Sequence, residues 1–282
     1  MGILMVFEYI LDPLHYSFMV RSLIVATLVG LMLPLLGAYV INRNLAFMGD
    51  ALAHASLPSL VLGLLIGTSI FIAAIPAAII VAVLVAYIFN KSDISEDTAV
   101  GIIFSSLFAL GLILLSIYDE ISFSLEDLLL GQLLAVSHAD VLVTIYLTLL
   151  VIITLLIMHK QFLFSSFDPF GAKVMGLKVD LLNYLFLIIL SLAIIGSLQS
   201  VGVVLVLSML ITPAATSKLL VSSFSGSMIL GSAFGVMSAV TGLYVSYYLN
   251  FPSGPSMALT STCVFVIVWV SGRILKYGQI NK

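Results

Sequence analysis

The sequence predicts an all-α, polytopic membrane protein with about nine spans (eight to nine), forming one domain over residues 1–282. Three observations carry this. Hydrophobic residues make up 62% of the chain and charged residues only 8%, too few charges to cover a soluble domain of this length. Mean hydropathy is +1.29. Apolar stretches of the roughly 20 residues needed to cross a bilayer core of roughly 30 Å follow one another from Tyr16 to Leu275. Helices satisfy every backbone polar group within one segment, and runs this long are unlike the short alternating strands of a barrel.

In chain order, the first fifteen residues, MGILMVFEYILDPLH, carry no Lys or Arg and no small-residue cleavage site. They read as a short pre-helix rather than a secretory signal. Breaks at Gly, Pro, Asn and charge clusters then divide the chain into spans at about 16–41, 46–67, 69–89, 98–118, 139–158, 181–198, 201–220, 227–249 and 256–275. The sole cysteine, Cys263, lies in an apolar run, which excludes an internal disulfide or a multi-thiolate site.

With nine spans and an outside N-terminus, Arg43, Lys91, Lys160, Lys173, Lys178, Lys218, Arg273, Lys276 and Lys282 all fall inside, and only Arg21 falls outside. That asymmetry fits the positive-inside rule, and Arg21 is close enough to a span end to reach the headgroups. The formal charge of -3 matters less than its distribution. Asp119, Glu120, Glu126 and Asp127 form an acidic outer segment without Lys or Arg, which either attracts cations or is ordinary solvated loop charge or a partner contact.

The inner segment from His159 to Asp180 mixes Phe162, Phe164, Phe167 and Phe170 with three lysines, too apolar for a free linker. A short helix is predicted there, with Asp168 as N-cap and Pro169 at its first position. Its apolar face either docks on a partner or lies flat on membrane lipid.

The second span carries the most informative polar residues. Asp50 and His54 are four apart and share one helix face, and an aspartate inside a span costs roughly 2.5–3.5 kcal/mol on insertion scales. A carboxylate and a neutral imidazole offer oxygen and nitrogen to Mn, Fe or Zn. Alternatively the two neutralise each other or staple helices. Pro58 has no N–H and crowds the carbonyl four residues back, so the His54 carbonyl is expected to lose its helical partner. Two side chains are an incomplete cage, suited to transient binding and release.

Ser208, Thr212 and Thr216 form a weakly polar stripe around Pro213, read as pathway lining or as small-residue packing. Gln199 is an outer gate or a helix cap. Gly63 with Gly67, and Gly231 with Gly235, have the spacing of close helix contacts. No His-Glu-x-x-His motif and no Gly-x-x-x-x-Gly-Lys-Ser/Thr loop occurs, so an intramembrane zinc protease and self-contained ATP hydrolysis by that machinery are excluded. A soft copper(I) route lacks ligands. A stand-alone proton-coupled or passive cation carrier, and a structural scaffold, remain readings of the residues alone.

Met48-Gly-Asp-Ala-Leu-Ala-His54-Ala-Ser-Leu-Pro58 resembles the signature of the metal-importing ABC permeases, which carry manganese, zinc or iron. Ser166-Phe-Asp-Pro169 with Ala172 and Gly176 resembles their coupling segment. Leu130 to Val136, Leu198 to Gly202, Leu210 to Ala215 and Pro252-Ser-Gly254 resemble further motifs in the same order. The sequence is most similar to manganese permeases of Gram-positive bacteria, with Ser59 where the family pattern usually has Gly and Asn42-Arg-Asn44 in place of the usual Arg-Gly approach.

The resemblance implies a type II importer permease in the bacterial plasma membrane, working as a homodimer and having no permanent cofactor. A separate cytoplasmic ATPase would use the ATP, and an extracellular metal-binding lipoprotein would deliver the ion; no nucleic-acid partner is expected. It further implies that Asp50 and His54 coordinate or gate the metal. Phe167, Asp168, Pro169, Ala172 and Gly176, within a coupling segment of about 159–180, would then contact the ATPase.

Overall fold

A computed structural model describes residues 11–67, 70–117, 131 and 133–280. The acidic segment Asp119 to Asp127 lies outside the described residues. A 3-10 turn, Asp12–His15, leads into α1 (Ser17–Asn42). It is followed by α2 (Met48–Ala55), α3 (Leu57–Ile66), α4 (Ile70–Lys91), α5 (Glu96–Ile117) and a 3-10 turn, Leu133–Ala135. Next come α6 (His138–Phe167), α7 (Pro169–Val174), α8 (Val179–Val201), α9 (Val203–Leu220), α10 (Phe224–Leu249) and α11 (Ser253–Ile280).

Among the described residues, 9 segments are long and apolar enough to cross a membrane, with α2 and α3 together forming the second. The all-α polytopic expectation holds. If each segment crosses once, the turns at 43–47 and 92–95, the α6–α8 connection and the α9–α10 turn lie at one end of the bundle, called here the Arg43 end. Packing is largely non-sequential: α1 packs on α10 and α9, and α8 on α4.

The most buried spans are α1 and α8. Around α1 pack α10, α9 and α6, while α8 packs on α4 and α6, and α2 and α3 rest on α5. Tyr39, Phe162 and Phe186 are fully buried where α1, α6 and α8 meet. Small residues decide how closely α1 approaches α10. A methyl added at Gly30 would stand 2.7 Å from the Gly235 carbonyl oxygen, and one added at Gly235 would run into the Gly30 carbonyl. Gly231 likewise faces Ala214 and Ser217 of α9.

Three expectations are corrected. The second span is two helices, because Pro58 cannot donate to the turn before it and the ladder gives way at Ser56. Gly67, expected at a helix contact, instead ends α3 at φ 68° with open space around it, the left-handed cap that glycine adopts without a Cβ penalty. The fifth span, expected to stop near residue 158, continues to Phe167. No Gly or Pro occurs before Pro169, and that proline holds Asp168 in a non-helical conformation (φ -140°, ψ 81°). At its other end α6 begins in a capping box: Ser137 Oγ accepts from the Asp140 N–H at 3.3 Å and Asp140 Oδ2 accepts from the Ser137 N–H at 2.7 Å.

Candidate functional site

The eight residues of α2 place Asp50 in the first turn and His54 in the last. His54 Nε2 stands 3.4 Å from Asp50 Oδ1, so the spacing of four does bring an imidazole and a carboxylate together. The His54 side chain is 24% exposed and that of Asp50 45%. The pair is therefore open at the surface of the chain rather than sealed in its core. Packed against α2, α5 supplies a wall: the His54 ring lies 5.3 Å from Phe108 and 6.0 Å from Phe104, which stack on each other at 5.7 Å.

Just beyond the pair the helix breaks. The Ser56 hydroxyl donates to the Ala53 carbonyl and the Ser59 hydroxyl to the Ser56 carbonyl, both at 2.6 Å. The Ser56 N–H turns back onto the Ala53 and His54 carbonyls. The Ser56 hydroxyl thus adds a bond to the Ala53 carbonyl, and the Ser59 hydroxyl joins the Ser59 and Leu60 N–H groups, at 3.0 and 3.2 Å, on the Ser56 carbonyl. The serine at 59 has a structural use here that a glycine could not supply.

Among the described residues, no group of three or more His, Cys, Asp or Glu side chains gathers to hold a metal. Asp50 and His54 provide two donors of mixed type, which suits a borderline divalent ion and leaves coordination positions open.

The second candidate region lies at the Arg43 end. Asp168 caps α7, its Oδ1 accepting from the Gly171 N–H at 2.8 Å, and Pro169 takes the first helical position. Both follow the predicted start rules. Ala172 is fully buried, and Gly176 closes the turn at φ 85° as its N–H donates to the Lys173 carbonyl at 3.0 Å. Phe167, Phe170, Val174 and Met175, on and beside the six-residue helix, are exposed among the described residues.

Two hydroxyls of the polar stripe on α9 bond to backbone carbonyls. Ser208 donates to the Ala258 carbonyl of α11 at 3.4 Å, and the fully buried Thr216 donates to the Thr212 carbonyl at 2.7 Å. Neither bonds to Asp50 or His54. Gln199 is half-buried near the end of α8, and its Oε1 is buried without a hydrogen-bond partner.

The sequence pattern of the ABC 3 transport family matches residues 15–272. The chain belongs to the ABC 3 transport family. Its relatives in that family include the manganese transport system membrane protein MntC of Listeria monocytogenes, 41% identical over 257 residues that cover 91% of each chain. Another is the manganese import system permease protein ScaB of Streptococcus gordonii, 39% identical and covering 93% of this chain and 94% of that one. Among solved structures, PsaBC from Streptococcus pneumoniae in complex with Fab superposes with a TM-score of 0.81 at 37% identity, covering 94% of this chain and 95% of that chain.

In this ABC 3 family chain, sequence reasoning missed three sets of residues around the candidate sites. Phe104 and Phe108 are one helical turn apart on α5, a pattern indistinguishable from ordinary span packing. Tyr39 and His159, far apart in sequence, meet at 2.6 Å between the tyrosine OH and Nδ1, while His159 Nε2 lies 3.0 Å from Ser225 Oγ. Arg43, counted only as an inner charge, is buried and paired with Glu96 at 3.7 Å. Burial lowers its pKa from the ordinary value and the neighbouring Glu96 opposes that shift; a guanidinium stays charged under such pressure.

Proposed function

We propose that this chain is the membrane-spanning subunit of an ATP-driven importer that carries Mn2+ into the cell. The observation that carries this reading is the Asp50/His54 pair, a carboxylate and an imidazole 3.4 Å apart on a short helix open at the chain surface. The names of the manganese relatives support the choice of metal.

A second copy of the chain, facing the first across this open surface, supplies a further carboxylate and imidazole, so that four protein donors converge on one ion in the dimer. Ligands on two separable chains can grip and release, which a closed one-chain cage does poorly. The exposed apolar face of α7 with Phe167, bounded by Asp168, Pro169, Ala172 and Gly176, docks a cytoplasmic ATPase. An extracellular metal-binding lipoprotein delivers the ion. The orientation is N-terminus outside and C-terminus inside the bacterial plasma membrane, as the basic residues direct. Gln199, Ser208, Thr212 and Thr216 contribute to the helices around the route rather than to the ion's first contacts.

The test is reconstitution of the chain with its ATPase and binding protein in liposomes. ATP-dependent 54Mn uptake is expected, strongly reduced by Asp50→Ala and by His54→Ala, with zinc and iron(II) as competitors to rank the cargo. Full uptake in both variants removes the site assignment. Uptake that persists without the ATPase favours a stand-alone carrier, and stronger uptake of zinc or iron reassigns the metal.

A further inference from the structure

Arg43 belongs to neither candidate site, yet its side chain is only 7% exposed and reaches three other helices. Its Nε donates to Ser166 Oγ at 3.0 Å and its Nη1 to Asn183 Oδ1 at 3.3 Å, while Nη1 also stands 3.7 Å from Glu96 Oε1. The guanidinium carbon sits 4.4 Å over the Phe186 ring. Asn183 carries the contact onward, its Nδ2 donating to Asn90 Oδ1 at 3.4 Å. A buried charge is costly and weak evidence for stability as such, because apolar packing of the same volume serves stability as well or better.

Two of these partners, Ser166 and Glu96, lie at the root of elements with a part in the proposed transport. Ser166 immediately precedes Phe167 and the Asp168 cap of α7. Glu96 opens α5, the helix that presents Phe104 and Phe108 to His54. Arg43 itself caps α1, and the turn that follows it leads directly into α2 and Asp50. That turn is tight: the Leu45 N–H donates to the Val40 carbonyl at 2.9 Å and the Met48 N–H to the Leu45 carbonyl at 3.0 Å, with Asn44 at φ 59°. A displacement of α7 at Ser166 therefore pulls on one rigid guanidinium, which bears on both walls of the metal pair, α2 through the turn and α5 through Glu96.

Resting on the importer reading, we propose that Arg43 is a positioning residue that links the ATPase-docking segment to the two helices forming the metal site. A simple staple would hold the bundle together and nothing more. A link sets how much metal moves per ATP. Lysine at this position keeps the charge beside Glu96 but loses the fork that spans Ser166 and Asn183 at once.

The experiment uses the complete complex in liposomes, with wild type, Arg43→Lys and Ser166→Ala. Three quantities are read: Mn2+ affinity of the purified complex, ATP hydrolysis, and Mn2+ transported per ATP. Arg43→Lys is expected to bind Mn2+ as wild type does and to hydrolyse ATP, with transport per ATP down about tenfold, the equivalent of one charge-assisted hydrogen bond. Ser166→Ala, which leaves Arg43 and its ion pair in place, is expected to fall in the same direction by less. Wild-type transport per ATP in both variants overturns the link, as does a loss of metal affinity that accounts for the whole loss of transport. A wild-type complex that moves no Mn2+ with ATP overturns the importer reading itself.

Discussion

The imidazole of His54 meets the ring of Phe108 nearly edge-on, 5.3 Å between centroids and 70° between planes. The Phe108 ring stands beside a candidate ligand whose neighbour on its own helix is Asp50. Aromatic pairs of this geometry contribute about 0.5–1.5 kcal/mol beyond area burial. Phe108→Leu, which keeps an apolar side chain but loses the ring, is expected to weaken Mn2+ binding by about 2–10-fold on that basis while leaving thermal stability near wild type. Titration of the purified protein with Mn2+ checks this, and an unchanged affinity would show that the ring packs against His54 without orienting it.

The contact of Gly30 with Gly235 leaves no room for a side chain on either helix. Gly235→Ala is expected to destabilise by about 1–3 kcal/mol, the usual cost of overpacking a filled interface. The control is Gly272→Ala, where a methyl meets nothing within 4 Å. Melting of both variants in detergent compares them; equal melting temperatures would mean that α1 and α10 separate freely.

Removing one oxygen tests the Arg43 end of the bundle. Tyr39→Phe deletes the 2.6 Å bond to His159 inside an aromatic cluster that also contains Phe162, Phe186 and Phe224. A loss of about 1 kcal/mol is expected. The double variant Tyr39→Phe, His159→Ala should then be scarcely less stable than His159→Ala alone, because contacting residues are not additive. Fully additive losses would place the tyrosine's stabilisation elsewhere.

Asp168 separates capping from charge. Asp168→Asn keeps an acceptor for the Gly171 N–H and is expected to retain ATPase binding, whereas Asp168→Ala loses the cap, worth about 1 kcal/mol, and with it the shape of α7. Co-purification of the ATPase with each variant reads the difference. Equal recovery with Ala would show that α7 is held by Ala172 and its neighbours alone.

How much of this was legible in the sequence depends on range. The spans are periodicity-free apolar runs, so length and hydropathy alone locate them, and the Asp168-Pro169 start is legible because capping is a contact over three residues. The Asp50/His54 pair follows from helical spacing. Residue 56 is harder. Pro58 signals a disturbed ladder, but whether the helix merely bends or divides depends on the local turn at Ser56, where its hydroxyl and that of Ser59 bond nearby carbonyls. Arg43 was readable only as a charge near a span end, since its partners Glu96, Ser166 and Asn183 lie between 53 and 140 positions away and nothing local announces them. Phe104 and Phe108 are two of many aromatics in apolar spans, and only the packing of α5 on α2 distinguishes them.

The division of the second span at Ser56 makes the segment that carries Asp50 a short helix of its own, separate from α3. Six residue steps lead from Asp50 to Ser56, an arm of about 9 Å at 1.5 Å per residue. A tilt of about 10° at Ser56 carries the carboxylate roughly 1.5 Å, several times the latitude of about 0.2 Å that a metal–ligand bond tolerates. If Asp50 holds an ion as proposed, an angular change that small would make or break its contact.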